Sequence, residues 1–125
     1  MSFLWSALSG WTVVLLLAAG ISIPYLARLL RWSSLAPHYG LGLLLPLAAT
    51  LHAALPMSQL RMAAFDATGL TLATGALALM VWQTGLGLAL RSAGGSERRN
   101  LRRRHFVTMT ILAALVLGHI GLNRA

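Results

Sequence analysis

The stretch Pro37–Ala54, "PHYGLGLLLPLAATLHAA", is almost wholly apolar, yet it holds two histidines fourteen positions apart. A second stretch, His105–Ile120, "HFVTMTILAALVLGHI", again holds two histidines fourteen positions apart. These are all the histidines of the chain, namely His38, His52, His105 and His119. On an α-helix, fourteen residues rise about 21 Å and complete nearly four turns. Each pair is therefore predicted to lie on one helix face, with one ring towards each end.

The composition indicates a membrane protein. The chain has 125 residues, enough for one domain, here residues 1–125; 58% are apolar and 10% are charged, a balance that favours membrane spans over a soluble core. We attribute the net charge of +8 to arginine-rich loops rather than to nucleic-acid binding. The chain has no cysteine, which excludes disulfides, thiolate metal sites, iron–sulfur clusters and covalent c-type haem.

Four apolar segments are each about long enough to cross a bilayer core, which takes roughly 20 residues of helix. A chain with only four spans cannot close a β-barrel, so the spans are predicted to be helices. The expected fold is an all-α, up-down bundle of four transmembrane helices. The four predicted segments are Phe3–Leu30, Pro37–Met57, Ala67–Leu90 and Leu101–Leu122.

The arginines predict the direction of the spans. Eight of the ten basic residues lie in or beside the first and third connections, whereas Arg61 lies in the second and Arg124 near the C-terminus. Cytoplasmic loops of membrane proteins are enriched in arginine, so both termini are expected outside, on the periplasmic face of a bacterial inner membrane. The first segment has no basic region before it and no evident cleavage site, so we interpret it as a retained span.

The two longer connections differ in character. The segment "SAGGSERRN" is predicted to be a polar cytoplasmic loop, and "PMSQLRMAAFD" an amphipathic segment on the outer surface. Asp66 precedes Ala67 and Thr68, an N-cap pattern for the third helix. A proton-accepting role for Asp66 is the alternative.

The histidine pattern predicts cofactor binding. The second and fourth helices run in the same direction, so His38 and His105 share the cytoplasmic end and His52 and His119 the outer end. Neutral imidazole is a good ligand of haem iron. We therefore expect two non-covalent haems b, each ligated by one histidine from each helix. The alternatives are polar contacts between helices and a non-haem metal site.

Paired histidines at this spacing on two helices of a four-helix bundle resemble those of the dihaem b-type cytochromes, including cytochrome b of the cytochrome bc complex and the ferric-reductase-like domains. The segment "RRRHFVTMTILAALVLGHIGLN" is also similar to small bacterial cytochrome b561-like spans. The resemblance covers about a third of the chain. It implies axial ligation by the four histidines, and it implies no complete reaction, because the chain lacks any flavin or nucleotide domain.

Several other residues fit this interpretation. Anionic haem propionates attract cations. The candidates at the cytoplasmic level are Arg28, Arg31 and Arg102–Arg104, with Arg28, Arg31 and Arg102 preferred, and Arg61 and Arg124 are the candidates at the outer level. Glycines on all four helices are expected to make room for a porphyrin. Met57, Met80 and Met109 are predicted to pack rather than to ligate.

The expected function is electron transfer across the membrane, between quinone or quinol and a redox partner protein, as a subunit of a larger oxidoreductase rather than a complete enzyme. Tyr25, Tyr39 and Asp66 are the candidates for a quinone site. The alternative is a small metal- or proton-binding transporter, or a structural bundle without haem. A transporter of the multidrug type needs a carboxylate within the spans, and these spans have none in their middles.

Overall fold

The computed structural model describes residues 2–57 and 67–122. For residues 2–4, 6 and 55–57 it describes the backbone only. The described chain is helical, with four helices in order. They are α1 (Ser2–Leu29), α2 (Ala36–Met57), α3 (Ala67–Ser92) and α4 (Gly95–Leu122). The predicted all-α class is confirmed. Arg61, Asp66 and Arg124 lie outside the described residues, as does the side chain of Met57.

Three of the helices are long and apolar enough to cross a membrane, over Ala7–Leu29, Ala67–Ser92 and Gly95–Leu122. Helix α2 is long enough at 22 residues but is not among these three. The predicted fourth span is therefore not confirmed. Many large apolar side chains are exposed along the helices, as expected for helices that contact lipid.

The contacts divide the chain into two compact units, Met1–Met62 and Ala63–Ala125. Each unit is a helical hairpin, α1 with α2 and α3 with α4, and each is described by itself below. The first buries Val13, Leu17 and Ala27 of α1 and Ala49 of α2, whereas the second is centred on Leu112, which is fully buried. The single four-helix domain stays a prediction.

The turn after α1 is closed by its own backbone. Trp32 N–H donates to the carbonyl of Ala27 at 2.8 Å, and Arg31 between them has φ 55°. This is the bond of a Schellman motif, in which the left-handed residue is usually glycine. Arg31 therefore holds a strained position at the end of α1, with its side chain exposed.

The third connection differs from its prediction. Only Ala93 and Gly94 separate α3 from α4, so the expectation of a polar loop from Ser92 to Asn100 is wrong. Arg98 N–H donates to the Gly94 carbonyl at 3.1 Å, which starts α4, and Gly95 has the positive φ of 53° that the tight turn requires. Glu97 in the first turn favours a helix here, because an acidic side chain offsets the helix dipole.

Because α4 has 28 residues, it extends about 42 Å, some 12 Å beyond the bilayer core. The arginines that precede His105 occupy this polar N-terminal extension and are exposed. The charge that predicted a cytoplasmic loop thus lies on a helix.

Candidate functional site: two pairs of histidines

In the first unit, His38 is held by the helix that precedes it. Its Nδ1 lies 2.8 Å from the carbonyl oxygen of Gly20 on α1. A carbonyl only accepts, so Nδ1 carries the hydrogen and, in a neutral ring, Nε2 carries the lone pair.

The Gly20 carbonyl is available because of Pro24, four residues further along α1. In a continuous helix, residue 24 would donate its N–H to this carbonyl, but proline has no N–H. His38 provides a donor in its place. Pro24 on α1 thus removes the helical donor of a carbonyl that His38 on α2 uses.

His52 lies further along α2, at the level of Ser9 and Gly10. Its Nδ1 is 2.9 Å from Ser9 Oγ. A Cβ added at Gly10 would lie 3.1 Å from the ring carbon Cε1 of His52, closer than most Cβ contacts. The imidazole therefore packs directly against the α1 backbone, and glycine is the residue that permits it.

In the second unit, His119 repeats the arrangement of His38. Its Nδ1 is 3.0 Å from the carbonyl of Gly69, a buried residue near the start of α3. The acceptor again assigns the hydrogen to Nδ1. Two histidines of different units thus have the same tautomer, each fixed by a backbone carbonyl of the preceding helix.

His105 is positioned through its backbone as well as its ring. The amide Nε2 of Gln83 donates to the His105 carbonyl at 2.9 Å, and the Thr108 hydroxyl lies within hydrogen-bond distance of Gln83 Oε1. A Cβ at Gly87 would lie 3.6 Å from His105 Cε1, an ordinary contact. A polar pair from α3 and α4 therefore fixes the backbone at this histidine.

Each of the four rings thus contacts the preceding helix of its own unit. In His38, His52 and His119, Nδ1 lies within hydrogen-bond distance of a carbonyl or hydroxyl oxygen of that helix. Histidines that bind a metal through one nitrogen commonly donate the other N–H to a carbonyl or a hydroxyl, which fixes the ring orientation. The rings of His38 and His119 have this feature.

A repeat relates the two units and was missed in the sequence. His105 follows His38 by 67 positions, and His119 follows His52 by the same number. The same offset relates the ring-contacting Gly20 and Gly87, the arginines Arg31 and Arg98, and the buried Val13 and Met80. An internal comparison would have found this signal and, with it, the importance of Gly20 and Gly87.

The propionate candidates within the described residues, Arg28, Arg31 and Arg102–Arg104, are all exposed. Arg28 lies in the last turn of α1, eight residues beyond Gly20 and thus about 12 Å along the helix from the level of His38. Arg102 precedes His105 by three residues, so the two lie on neighbouring positions of one face of α4. Arg102 is therefore better placed than Arg28, and Arg31 lies in the turn after α1.

The predicted quinone-site tyrosines, the methionines and the glycines differ in how far they are buried. Tyr39 is half-buried, with its ring centroid 6.0 Å from that of His38 at an interplanar angle of 63°. Tyr25 is exposed. Met80 is buried, which confirms its packing role. Gly10 and Gly87 lie beside histidine rings, whereas a Cβ at Gly20 or Gly85 would meet nothing within 4 Å. That the glycines make room for a porphyrin stays a prediction.

Within the described ranges, no three histidine, aspartate or glutamate side chains come together as they would around a metal ion. Comparisons with family models, curated proteins and solved structures gave no match.

Proposed function

We propose that the chain is a transmembrane dihaem cytochrome b that carries electrons between quinone or quinol and a redox partner protein, as a subunit of a larger electron-transfer complex. The observation that carries this proposal is that the histidine rings of both units are held in the same way. Each ring is held against the preceding helix, and His38 and His119 donate Nδ1–H to a backbone carbonyl.

This arrangement fits haem ligation for a chemical reason. With the hydrogen fixed on Nδ1, the lone pair of the neutral imidazole is on Nε2, the nitrogen that iron would bind. A fixed ring also loses little orientational entropy when it ligates. Bound haem supplies a one-electron iron couple, which suits electron transfer.

The chain's own residues would hold the two haems and set their surroundings. In this proposal His38 and His105 share one iron and His52 and His119 the other, and α2 is the fourth span. The spacing of fourteen residues within each helix separates the two levels by about 21 Å. The apolar surroundings would favour the less charged state of each site, and Arg102 would neutralise a carboxylate at the level of His105.

Haem content tests the proposal directly. We expect two non-covalent haems per chain, measured as pyridine haemochrome against protein mass, with a reduced-minus-oxidised spectrum of b type. The matched control is a variant with all four histidines replaced by alanine, which should purify without haem. Wild-type protein with no haem after expression with ample haem supply would refute the function, and a ratio of one would refute the two-site arrangement.

The orientation of the spans is a separate prediction. We expect both termini on the outer side, because the arginines that flank the first and third connections should stay in the cytoplasm. Ser96→Cys, on the exposed first turn of α4, should react with an impermeant maleimide only after the membrane is opened. A cysteine at Ala125 should react in intact cells. Labelling of Ser96→Cys from outside would reverse the orientation.

A further inference from the structure

The second unit has an open surface cavity of about 460 Å³ where the polar extension of α4 meets its apolar part. Its lining residues are Trp82 of α3 and Asn100, Arg103, Arg104, Val107 and Thr108 of α4. It has a charged half formed by the two arginines and an apolar half formed by Trp82 and Val107, which are 57% and 47% exposed. A ligand with a charged group joined to an apolar body matches this division.

The charge around the cavity favours an anion. The first three turns of α4 hold five arginines and one carboxylate, Glu97. The only other acidic residue of the chain is Asp66. Two adjacent guanidiniums without matching carboxylates repel each other, and an anion between them removes that repulsion. A neutral ligand such as a quinone would not.

The helix geometry separates this cavity from the histidine face. Arg98 and Arg102 are four apart and lie on the side of α4 that carries His105. Arg103 precedes His105 by two residues and projects to a different side. Arg98 and Arg102 thus lie on the His105 side of α4, whereas Arg103 and Arg104 line the cavity.

We propose that this cavity binds the headgroup phosphate of an anionic phospholipid from the surrounding bilayer. The guanidiniums of Arg103 and Arg104 match phosphate oxygens in a bidentate manner. The Asn100 amide provides a further donor for a glycerol headgroup. Trp82 is an interfacial type of residue, and with Val107 it lies against the first carbons of an acyl chain. The proposal depends on the membrane location and is independent of haem.

The test is the retention of added lipid by the full-length protein in a neutral detergent at physiological ionic strength. Native mass spectrometry would count bound dioleoyl phosphatidylglycerol as its concentration rises, with dioleoyl phosphatidylcholine as the zwitterionic comparison. The double variant Arg103→Gln, Arg104→Gln should weaken phosphatidylglycerol binding roughly 10- to 30-fold, the effect of losing two basic contacts near a membrane surface.

The matched control is Arg98→Gln, Arg102→Gln, which removes the same charge from the same helix. Glutamine keeps helix propensity near that of arginine, so both double variants should fold. The control should change binding less than about 3-fold, because exposed charges away from the ligand are screened by salt. Equal losses in both double variants would mean general surface charge and overturn the site.

Two further outcomes would also overturn the proposal. Equal binding of phosphatidylcholine by the wild-type protein would show that the headgroup charge does not matter. Displacement of phosphatidylglycerol by excess inorganic phosphate would identify a site for free anions instead of a lipid site. Retention of phosphatidylglycerol in the presence of phosphate, lost only in the Arg103→Gln, Arg104→Gln variant, would support it.

Discussion

Replacing His52 or His119 by alanine is expected to remove the same haem, and replacing His38 or His105 is expected to remove the other. Each of the four variants should fall from two haems to one and keep a low-spin spectrum for the haem that remains. The physical reason is that a six-coordinate, low-spin iron needs both imidazoles, and each helix offers one at a given depth. Haem content, the low-temperature spectrum and a redox titration of each variant measure this.

Neighbouring leucines provide the matched controls. Leu51 and Leu117 are 60% and 69% exposed, and each lies within two residues of a histidine. Leu51→Ala and Leu117→Ala should keep both haems. If His38→Ala matched His119→Ala instead, the pairing would be crossed and the predicted common direction of α2 and α4 would be wrong.

The helices were predictable from the sequence because apolar length alone indicates a span. The described α1, α2 and α3 begin and end within two residues of their predicted bounds. The start of α4 was not predictable in this way. The apolar segment begins only at Leu101, whereas the helical hydrogen bonding of α4 begins at the Gly94 carbonyl. Arginine and glutamate favour helix, so a polar segment continues the helix into solvent.

The histidines themselves were found by spacing, but their partners were not. Which residue of α1 lies beside His38 depends on how the two helices pack, and the spacing within one helix carries no information about that. Pro24 was a usable local signal, because a proline inside a helix leaves the carbonyl four residues earlier without its helical donor. The 67-residue repeat was another, and it singles out Gly20 and Gly87. Ser9 and Gln83 had no such signal.

A bulky side chain at position 10 is expected to remove one haem without touching any histidine. A Cβ at Gly10 would lie 3.1 Å from Cε1 of His52, so the larger side chain of Gly10→Leu would occupy space that the imidazole now fills. His52 would then have to leave its position beside Ser9, and the haem that depends on His52 should be lost. The remaining spectrum should match that of His52→Ala.

Two alanine variants complete the test. Gly10→Ala is a smaller change at the same position, and Gly20→Ala is the control. Gly10→Ala requires the ring to move by a few tenths of an ångström, so both haems should remain while the midpoint potential of one shifts. Gly20→Ala adds a Cβ that meets nothing within 4 Å and keeps the backbone carbonyl that His38 uses. It should keep both potentials and gain up to about 1 kcal/mol in unfolding free energy, because alanine favours helix over glycine. Gly10→Leu protein with two unaltered haems would mean that His52 does not ligate iron from its place against α1.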